Sequence, residues 1–307
     1  MKSTKFFVGA TLAFALATTT LFSSCSNDEV VNNSDRVAVK FASTGVSAQT
    51  RIDGVNWIGN DDHIGIYMVQ NGSSSVSENA ANIEYIANTS GSSTDFSPFD
   101  PAQTICYPVD ISNKVDFIAY YPYLASVAEE GKYSVDVSNQ EGDINLLWAK
   151  VDNDAAGYDK TSGNVTLLFT HQLAKLHLTV VGDIGVGSLS GLIVSINGIN
   201  TEADFDVMTG TWDTGNSPNS ISPKEIDNGE NYEYEAILLP IETLDTSHTV
   251  TFTIASGVYT WELFSNIAKL EAGKKYDYTV TLTKREISIL GSIADWTSEG
   301  TGTGEAY

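Results

Sequence analysis

The 307-residue chain carries 39 acidic and 16 basic residues, which gives a formal net charge of −23. Phosphate binding needs clustered Lys and Arg, so this balance argues against nucleic acid and anionic lipid surfaces as partners. Small polar residues are abundant, and Glu, Lys and Arg form no amphipathic runs. The composition therefore favours an all-β protein rich in turns, and the length allows two domains.

The N-terminus has the organisation of an export signal. Two lysines precede an apolar stretch at residues 6–17, which is too short to span a bilayer comfortably. The run L-F-S-S before Cys25 resembles the lipobox of bacterial lipoproteins, in which the Cys thiol is acylated and becomes the first residue of the mature chain. We predict a signal peptide at residues 1–24, lipidation of Cys25 and a polar tether at residues 25–36; a plain secretory signal is the alternative.

Short alternating segments separated by polar turns follow the tether. The first strand is predicted at residues 37–41, and the loop after it, residues 42–54, carries Arg51. Apolar alternation predicts further strands at residues 64–69, 83–86, 105–107, 115–121, 133–137 and 146–149.

The stretch at residues 165–181 changes its apolar phase in the middle. Apolar residues alternate in one register up to Phe169 and in the other register after Gln172, which indicates a strand with a bend or bulge. A bent strand in mid-chain is a natural transition between two β domains. We therefore predict domains at residues 37–167 and 168–307.

The second half repeats the same pattern of short strands between Gly, Asn, Asp and Ser turns, which is typical of a sandwich. Residues 272–282 form a polar turn that leads into an alternating strand, and residues 287–296 are the last strand-like segment. Other strands are predicted at residues 192–196, 203–207, 211–212, 235–240, 249–254 and 258–264.

The sequence contains no motif for catalysis, cofactor binding or metal binding. G-x-S-x-G, HExxH and a phosphate-binding glycine loop are missing, so we predict that the protein is not an enzyme and uses no cofactor. Adjacent Asp61, Asp62 and His63 lack the remote ligands that a metal site requires. His171 has no Ser, Asp or Cys partner of motif quality, so we interpret it as structural.

Cys25 and Cys106 are the two cysteines of the chain. If Cys25 is acylated, Cys106 is a lone thiol and an intramolecular disulfide is excluded. We then expect Cys106 to behave as a small buried hydrophobe.

Five segments carry a family resemblance. They are F-x-H-x-L-A-K-L at residues 169–176, D-F-I-A-Y-Y-P-Y at residues 116–123, Thr50-Arg51 followed by Trp57 and I-G-I-Y, L-L-W-A at residues 146–149 with Asp143 upstream, and the turn and strand at residues 272–282. These motifs resemble those of the Bacteroidetes fimbrillin-like family. The resemblance implies two tandem transthyretin-like β-sandwich domains in a structural subunit, or a tip or accessory component, of type V fimbriae that serve adhesion.

The resemblance also implies how the chain is processed and assembled. Such subunits are surface-exposed lipoproteins of the outer membrane, and an arginine-specific protease frees the segment that carries the first strand. Arg51 is the predicted cleavage site and Arg36 the second candidate; the alternative is that Arg51 pairs with a surface acid. The vacated groove would bind a strand of a neighbouring fimbrillin subunit.

The candidate donor is the last strand-like segment, whose apolar residues could enter such a groove. The alternative is that this segment is the last strand of its own domain. The candidate donor residues are Ile287, Ile289, Leu290, Ile293 and Trp296.

A monomeric surface lipoprotein that binds glycans is an alternative function of a different class. Tyr120, Tyr121 and Tyr123 lie in one run, and exposed aromatic rings stack on sugars, whereas aromatics of a half-buried strand usually pack within the sheet. A detachable first strand next to an arginine favours the fimbrial function instead.

Overall fold

The computed structural model describes residues 35–43, 56–127, 131–142, 144–183, 185–215, 217–226, 232–283 and 287–296. The predicted lipidation site Cys25 and cleavage site Arg51 lie outside these residues. Regular structure in the described parts is almost entirely β, with two short 3₁₀ turns, Pro101–Gln103 and Leu263–Ser265. The prediction of an all-β protein is confirmed.

The strands are, in chain order, β1 (Phe41–Ser43), β2 (His63–Gln70), β3 (Ile83–Ala87), β4 (Thr94–Pro98), β5 (Val115–Tyr121), β6 (Lys132–Asp136), β7 (Leu147–Val151), β8 (Val165–Thr166), β9 (Thr170–His171), β10 (Ala174–Gly182), β11 (Ile193–Asn200), β12 (Glu202–Asp206), β13 (Thr211–Thr214), β14 (Pro218–Ile221), β15 (Lys224–Ile226), β16 (Tyr232–Leu238), β17 (Thr249–Ile254), β18 (Gly257–Glu262), β19 (Lys274–Leu282) and β20 (Ile287–Asp295). The predicted bounds of β5 and β17 agree with the structure. Strands β4, β14 and β15 are not predicted from the sequence.

The first sheet has eight strands in the order β8-β1-β4-β3-β2-β5-β7-β9. Its two edge strands, β8 and β9, are consecutive in the chain and are separated only by residues 167–169. A link of this length spans about 14 Å at most, so the sheet must curve until its edges approach each other. Leu167 and Phe169 of the link are fully buried and help to close the interior.

The interior of this curved sheet is the first hydrophobic core, and Trp57 lies at its centre. The indole ring meets Phe96, Tyr121 and Phe169 edge to face at centroid distances of 5.1, 5.6 and 5.3 Å. Such contacts add about 0.5–1.5 kcal/mol each to the burial of apolar area. The large side chains of this core include Phe41, Trp57, Ile64, Ile66, Met68, Tyr85, Phe96, Tyr107, Phe117, Tyr121 and Phe169.

Strand β5 connects the first core to a second one, because it is buried on both faces. Phe117 and Tyr121 belong to the first core, whereas Ile118 and Tyr120 belong to the second. A continuous apolar run such as F-I-A-Y-Y is typical of a strand that is covered on both sides.

The second core lies between a five-stranded sheet, β15-β16-β10-β19-β20, and a four-stranded sheet, β14-β11-β17-β18. Strand β10 is central in the larger sheet and pairs antiparallel with β16 and parallel with β19. A three-stranded sheet, β13-β12-β6, ties β6 of the N-terminal half to the second half.

Residues 165–181 are not one bent strand, which corrects the sequence interpretation. They form β8, β9 and β10, and Gln172 lies where the chain leaves the first sheet for the five-stranded sheet. The apolar phase changes because Phe169 is directed to the first core and Leu176 to the second. None of the helices in the described parts is long and apolar enough to cross a membrane.

Candidate functional site

Residues 37–43, which we call the first-strand segment, have hydrogen-bonded neighbours on both sides. In the first half, the Val39 N–H donates to the Ile105 carbonyl at 2.9 Å and the Tyr107 N–H donates to the Val37 carbonyl at 3.0 Å. In the second half, β1 pairs antiparallel with β4 and parallel with β8. Regular pairing begins at Phe41, later than the predicted strand at residues 37–41.

Alternate side chains of the first-strand segment are buried. Val39, Phe41 and Ser43 are 5%, 2% and 1% exposed. The Phe41 ring meets Tyr85 and Phe117 edge to face at 5.3 and 5.1 Å. The segment therefore places two large apolar side chains and one small side chain in the first core.

Removal of this segment would leave what we call the first-strand groove. Strands β4 and β8 would each present an unpaired edge, and the site of the Phe41 ring would expose Tyr85 and Phe117. Unpaired strand edges beside apolar surface recruit another strand. The groove fits a strand that has large apolar residues at the positions of Val39 and Phe41 and a small residue at the position of Ser43.

An ion pair lies at the entry to the first-strand segment. Arg36 Nη2 is 3.6 Å from Glu78 Oε2, and both residues line a cleft of about 250 Å³ together with Met68 and Ile105. Glu78 has a φ of +50°, a left-handed conformation that few Glu residues adopt. The backbone therefore holds this carboxylate at the end of the groove despite some conformational cost.

Cys106 lies on the neighbouring segment, opposite Ala38, and is 7% exposed. The prediction that it is buried is confirmed. It is not a free thiol in the structure, so the expectation of a lone thiol is wrong. The pairing with Ala38 places Cys106 beside the part of the chain that follows the predicted tether.

The candidate donor residues lie on β20 and directly after it. Strand β20 is an edge strand, and all nine of its residues pair with β19. Leu290 and Ile293 are 65% and 49% exposed, whereas Ile287 and Ile289 are half-buried against the second core. Trp296 is 4% exposed, and none of the nine residues of β20 is buried.

Trp296 connects the C-terminal strand to the F-x-H-x-L-A-K-L motif. Its indole stacks on the His171 imidazole at 3.9 Å with an interplanar angle of 7°, and Lys175 Nζ lies 5.7 Å from the ring centroid. Lys175 Nζ is also 2.5 Å from Glu235 Oε1. Stacking and cation–π attraction together hold Trp296 where the chain passes between the two sheets.

Asp62 and His63 have separate structural partners and do not form a metal site. The Asp62 carboxylate accepts hydrogen bonds from the Ile58 N–H at 2.6 Å and the Tyr121 hydroxyl at 2.9 Å. His63 Nδ1 is 2.6 Å from Glu84 Oε1. Within the residues that the structure describes, no three His, Cys, Asp or Glu side chains are grouped to hold a metal.

The tyrosine run does not present a platform for sugars. Tyr120 and Tyr121 are 0% and 8% exposed, and Tyr123 is half-buried. The Tyr120 hydroxyl donates to Asn82 Oδ1 at 2.6 Å, and burial raises the pKa of Tyr120 above its ordinary value. The interpretation of Tyr120 and Tyr121 as residues that pack within the sheet is therefore confirmed, and the sugar-stacking alternative does not hold for them, because the strand that carries them is covered on both faces.

Comparisons with known proteins agree with this architecture. A profile described as fimbrillin-like matches residues 50–296. A Bacteroides uniformis protein described as fimbrium subunit Fim1C is 34% identical over 311 residues, which cover 96% of this chain and 97% of that protein.

Two crystal structures extend the comparison. A Bacteroides uniformis protein described as a cell adhesion protein superposes with a TM-score of 0.69 at 31% identity over 87% of this chain and 100% of its own. A Bacteroides ovatus protein with the same description shares the fold, with a TM-score of 0.59 at 22% identity over 86% of this chain and 98% of its own. The resemblance drawn from the sequence motifs is confirmed, and the chain belongs to the fimbrillin-like family.

Proposed function

We propose that this chain is a structural subunit, or a tip or accessory component, of a type V fimbrium at the bacterial cell surface, and that it serves adhesion and performs no enzymatic reaction. It assembles by strand exchange with copies of itself or with related fimbrillins. The observation that carries this proposal is the pairing of the first-strand segment on both sides and the burial of its alternate side chains. Its removal would leave a groove that a strand of another subunit could fill. Family membership and the similarity to fimbrium subunit Fim1C support it.

The order of residues distinguishes the two candidate cleavage sites. Arg36 precedes the first-strand segment, so cleavage after Arg36 would leave Val39 and Phe41 attached to the rest of the chain. Arg51 follows the segment, so cleavage after Arg51 would separate it from the chain. An arginine-specific protease that acts at Arg51 is therefore the activating partner in this proposal.

The donor in this proposal is β20, which is easier to release than an inner strand. It has one hydrogen-bonded neighbour in its sheet, and Ile287 and Ile289 are only half-buried there. In the first-strand groove they would take positions where Val39 and Phe41 are almost fully buried. The gain in apolar burial would favour transfer to a neighbouring subunit.

The proposed domain organisation is two tandem transthyretin-like β-sandwiches at residues 37–167 and 168–307. The change of sheet between β9 and β10 supports a boundary in this region. The pairing of β6 with β12 means that the two halves also share one small sheet.

Substitution of Arg51 tests the proposed activation. The Arg51→Ala chain should reach the cell surface but should not form polymer, whereas the Arg36→Ala chain should polymerise as the unaltered chain does. N-terminal sequencing of surface polymer should begin at Ile52. Polymer that begins at Cys25 would overturn processing at Arg51.

The proposed anchor is acylated Cys25, which would place the chain on the outer face of the outer membrane. A thioether at Cys25 requires that Cys106, which is disulfide-bonded in the structure, be a thiol in the mature chain, because these are the two cysteines of the sequence. Because one acyl chain anchors only marginally, the several chains of a bacterial lipoprotein are required. Mass spectrometry of the mature N-terminus under reducing and non-reducing conditions should find a thioether-linked lipid on Cys25. A disulfide between Cys25 and Cys106, or membrane association of a Cys25→Ala chain, would contradict this assignment.

The glycan-binding monomer was the alternative function. It depended on exposed tyrosines, and Tyr120 and Tyr121 are buried. We therefore retain the fimbrial function as the proposal.

A further inference from the structure

Glu78 gives the first-strand groove a charged end. In the structure, the Glu78 carboxylate forms an ion pair with Arg36. Arg36 lies three residues before Val39, which is the first large buried apolar residue of the segment. Because Arg36 precedes Arg51, cleavage at Arg51 and loss of the segment would also remove this cation from Glu78. A strand that replaces the segment therefore meets an unneutralised carboxylate at this end.

We propose that Glu78 selects donor strands that carry a basic residue three positions before their first large apolar residue. This inference rests on the proposed strand exchange and names the chemistry of the partner. The complete pattern is set by Arg36, Val39, Phe41 and Ser43: basic, large apolar, large apolar and small, at spacings of three, two and two.

The pattern recurs twice in the chain. One occurrence, Lys175, Leu178, Val180 and Gly182, lies in the central strand β10, which is paired on both sides and is not available for donation. The other lies at the C-terminal edge strand β20, which has one paired neighbour. Lys284 would take the position of Arg36, Ile287 that of Val39, Ile289 that of Phe41 and Gly291 that of Ser43. The occupant that we infer is therefore a second copy of this chain, which inserts β20 in this one register.

Other registers of β20 would place unsuitable residues at the buried positions of the groove. A shift by two residues in one direction places Arg285 in the buried position of Val39, and a shift in the other direction places Gly291 where Phe41 fills the core. Both shifts fail, because burial of an unpaired charge and an unfilled aromatic position are costly.

Use of the opposite face of β20 also fits poorly. A one-residue slip turns every side chain to the other face. It would leave Ser288 at the apolar position of Val39, with Leu290 at the position of Phe41. The register with Ile287, Ile289 and Gly291 is the one that matches both apolar positions and the small position.

The charge contact contributes selectivity more than affinity. The Arg36 and Glu78 side chains are 24% and 42% exposed, so solvent weakens their attraction. Charges at the rim of an interface mainly change the association rate and its dependence on salt. We therefore expect Glu78 to affect how fast strands are exchanged and which strands are accepted.

Charge reversal in the full-length chain tests the register. Glu78→Lys alone and Lys284→Glu alone should each slow polymer growth about fivefold at low salt, and the effect should shrink at high salt. The double variant should restore growth, because the introduced lysine of one copy then meets the introduced glutamate of the next. Rescue by the double variant would show that the contact between copies, Glu78 with Lys284, controls growth. It would exclude an effect of the Arg36–Glu78 ion pair within one copy, because Lys284→Glu does not restore a partner for Arg36.

Arg285→Glu is the matched control, because it makes the same charge change one position away. Its register position is that of Val37, which is 42% exposed, so it should slow growth less than Lys284→Glu. Normal growth of both single variants, or failure of the double variant to recover, overturns the role of Glu78. Absence of polymer from the unaltered chain under processing conditions overturns strand exchange itself.

Discussion

The first-strand segment and β20 are held in the molecule in opposite ways. The first-strand segment is paired on both sides and its alternate side chains are almost completely buried. Strand β20 has one paired neighbour, and Leu290 and Ile293 are about half exposed or more. Non-covalent contacts therefore hold the first segment firmly, whereas the last strand is held along one edge and by Trp296.

This difference suits one segment to seal a groove and the other to move. In the proposed assembly, an occupied groove would protect the subunit from premature pairing, because the edges of β4 and β8 are already paired. An edge strand with half-exposed side chains loses less when it leaves its sheet. In the proposed assembly, contact between a groove on one copy and a strand on the next would be heterologous, so it need not close and would propagate a filament.

The largest expected effect in the unprocessed chain is at Phe41. Phe41→Ala should lower the free energy of unfolding by about 3–5 kcal/mol, because it removes a fully buried ring between Tyr85 and Phe117. Lys40→Ala, one position away and exposed, should change it by about 0.5 kcal/mol or less. Urea unfolding of both full-length variants measures the contrast, and equal effects would show that the segment does not seal the core.

A smaller loss of stability is expected from substitution of Trp296, directly after β20. Trp296→Ala should destabilise the chain by about 3 kcal/mol, since it uncovers His171 and removes the ring beside Lys175. Leu290→Ala, on the exposed face of β20, should cost about 0.5 kcal/mol or less.

Hydrogen exchange locates the loss in the Trp296→Ala chain. Amides of β19 and β20 should lose protection, and β20 should become easier to donate, so processed chains should polymerise faster. Unchanged protection in these strands would mean that Trp296 does not hold β20.

The strands with strong alternation were predictable, and the edges were not. The apolar runs V-D-F-I-A-Y-Y and T-V-T-F-T-I identify β5 and β17 with correct bounds. Strand β14, P-N-S-I, offers a single buried residue at Ile221, so its pairing depends on β11 rather than on its own pattern. Periodicity does not report which sheet a strand joins, so the apolar alternation around Gln172 predicts one strand where the structure has three.

The candidate site was only partly predictable for a related reason. The alternation at residues 37–41 identifies a strand, but its two-sided pairing depends on β4 and on β8, which are distant in sequence. His171 was correctly interpreted as structural, yet nothing in its neighbourhood indicates that Trp296 stacks on it. The Glu78 contact lacks a local signal, because a single acid in a Ser- and Asn-rich loop resembles any solvated residue.

The five-stranded sheet also carries a pH-dependent contact beside β20. His177 Nδ1 is 2.9 Å from one Asp277 carboxylate oxygen, and Lys275 Nζ is 3.0 Å from the other. The hydrogen bond from His177, followed by the bond from Lys275, lowers the pKa of Asp277 from 3.8 to about 2, although burial acts in the opposite direction. Asp277 pairs with Ser292 of β20, so this contact stabilises the sheet next to the proposed donor strand.

The smallest expected effect follows from this lowered pKa. Between about pH 4 and pH 2 the unfolded chain takes up a proton at Asp277 before the folded chain does, so the stabilisation is present above pH 4 and is lost as the pH falls toward 2. Because the Asp277 side chain is 44% exposed, solvent screening limits the contribution to about 0.5–1 kcal/mol. Asp277→Asn should therefore be less stable than the unaltered chain at pH 5 and nearly equal to it at pH 2, as measured by urea unfolding. Asp213→Asn, at a carboxylate that is 80% exposed, is the control and should leave the pH profile unchanged; a difference for Asp277→Asn that persists at pH 2 would show that packing, rather than charge, stabilises this edge of the sheet.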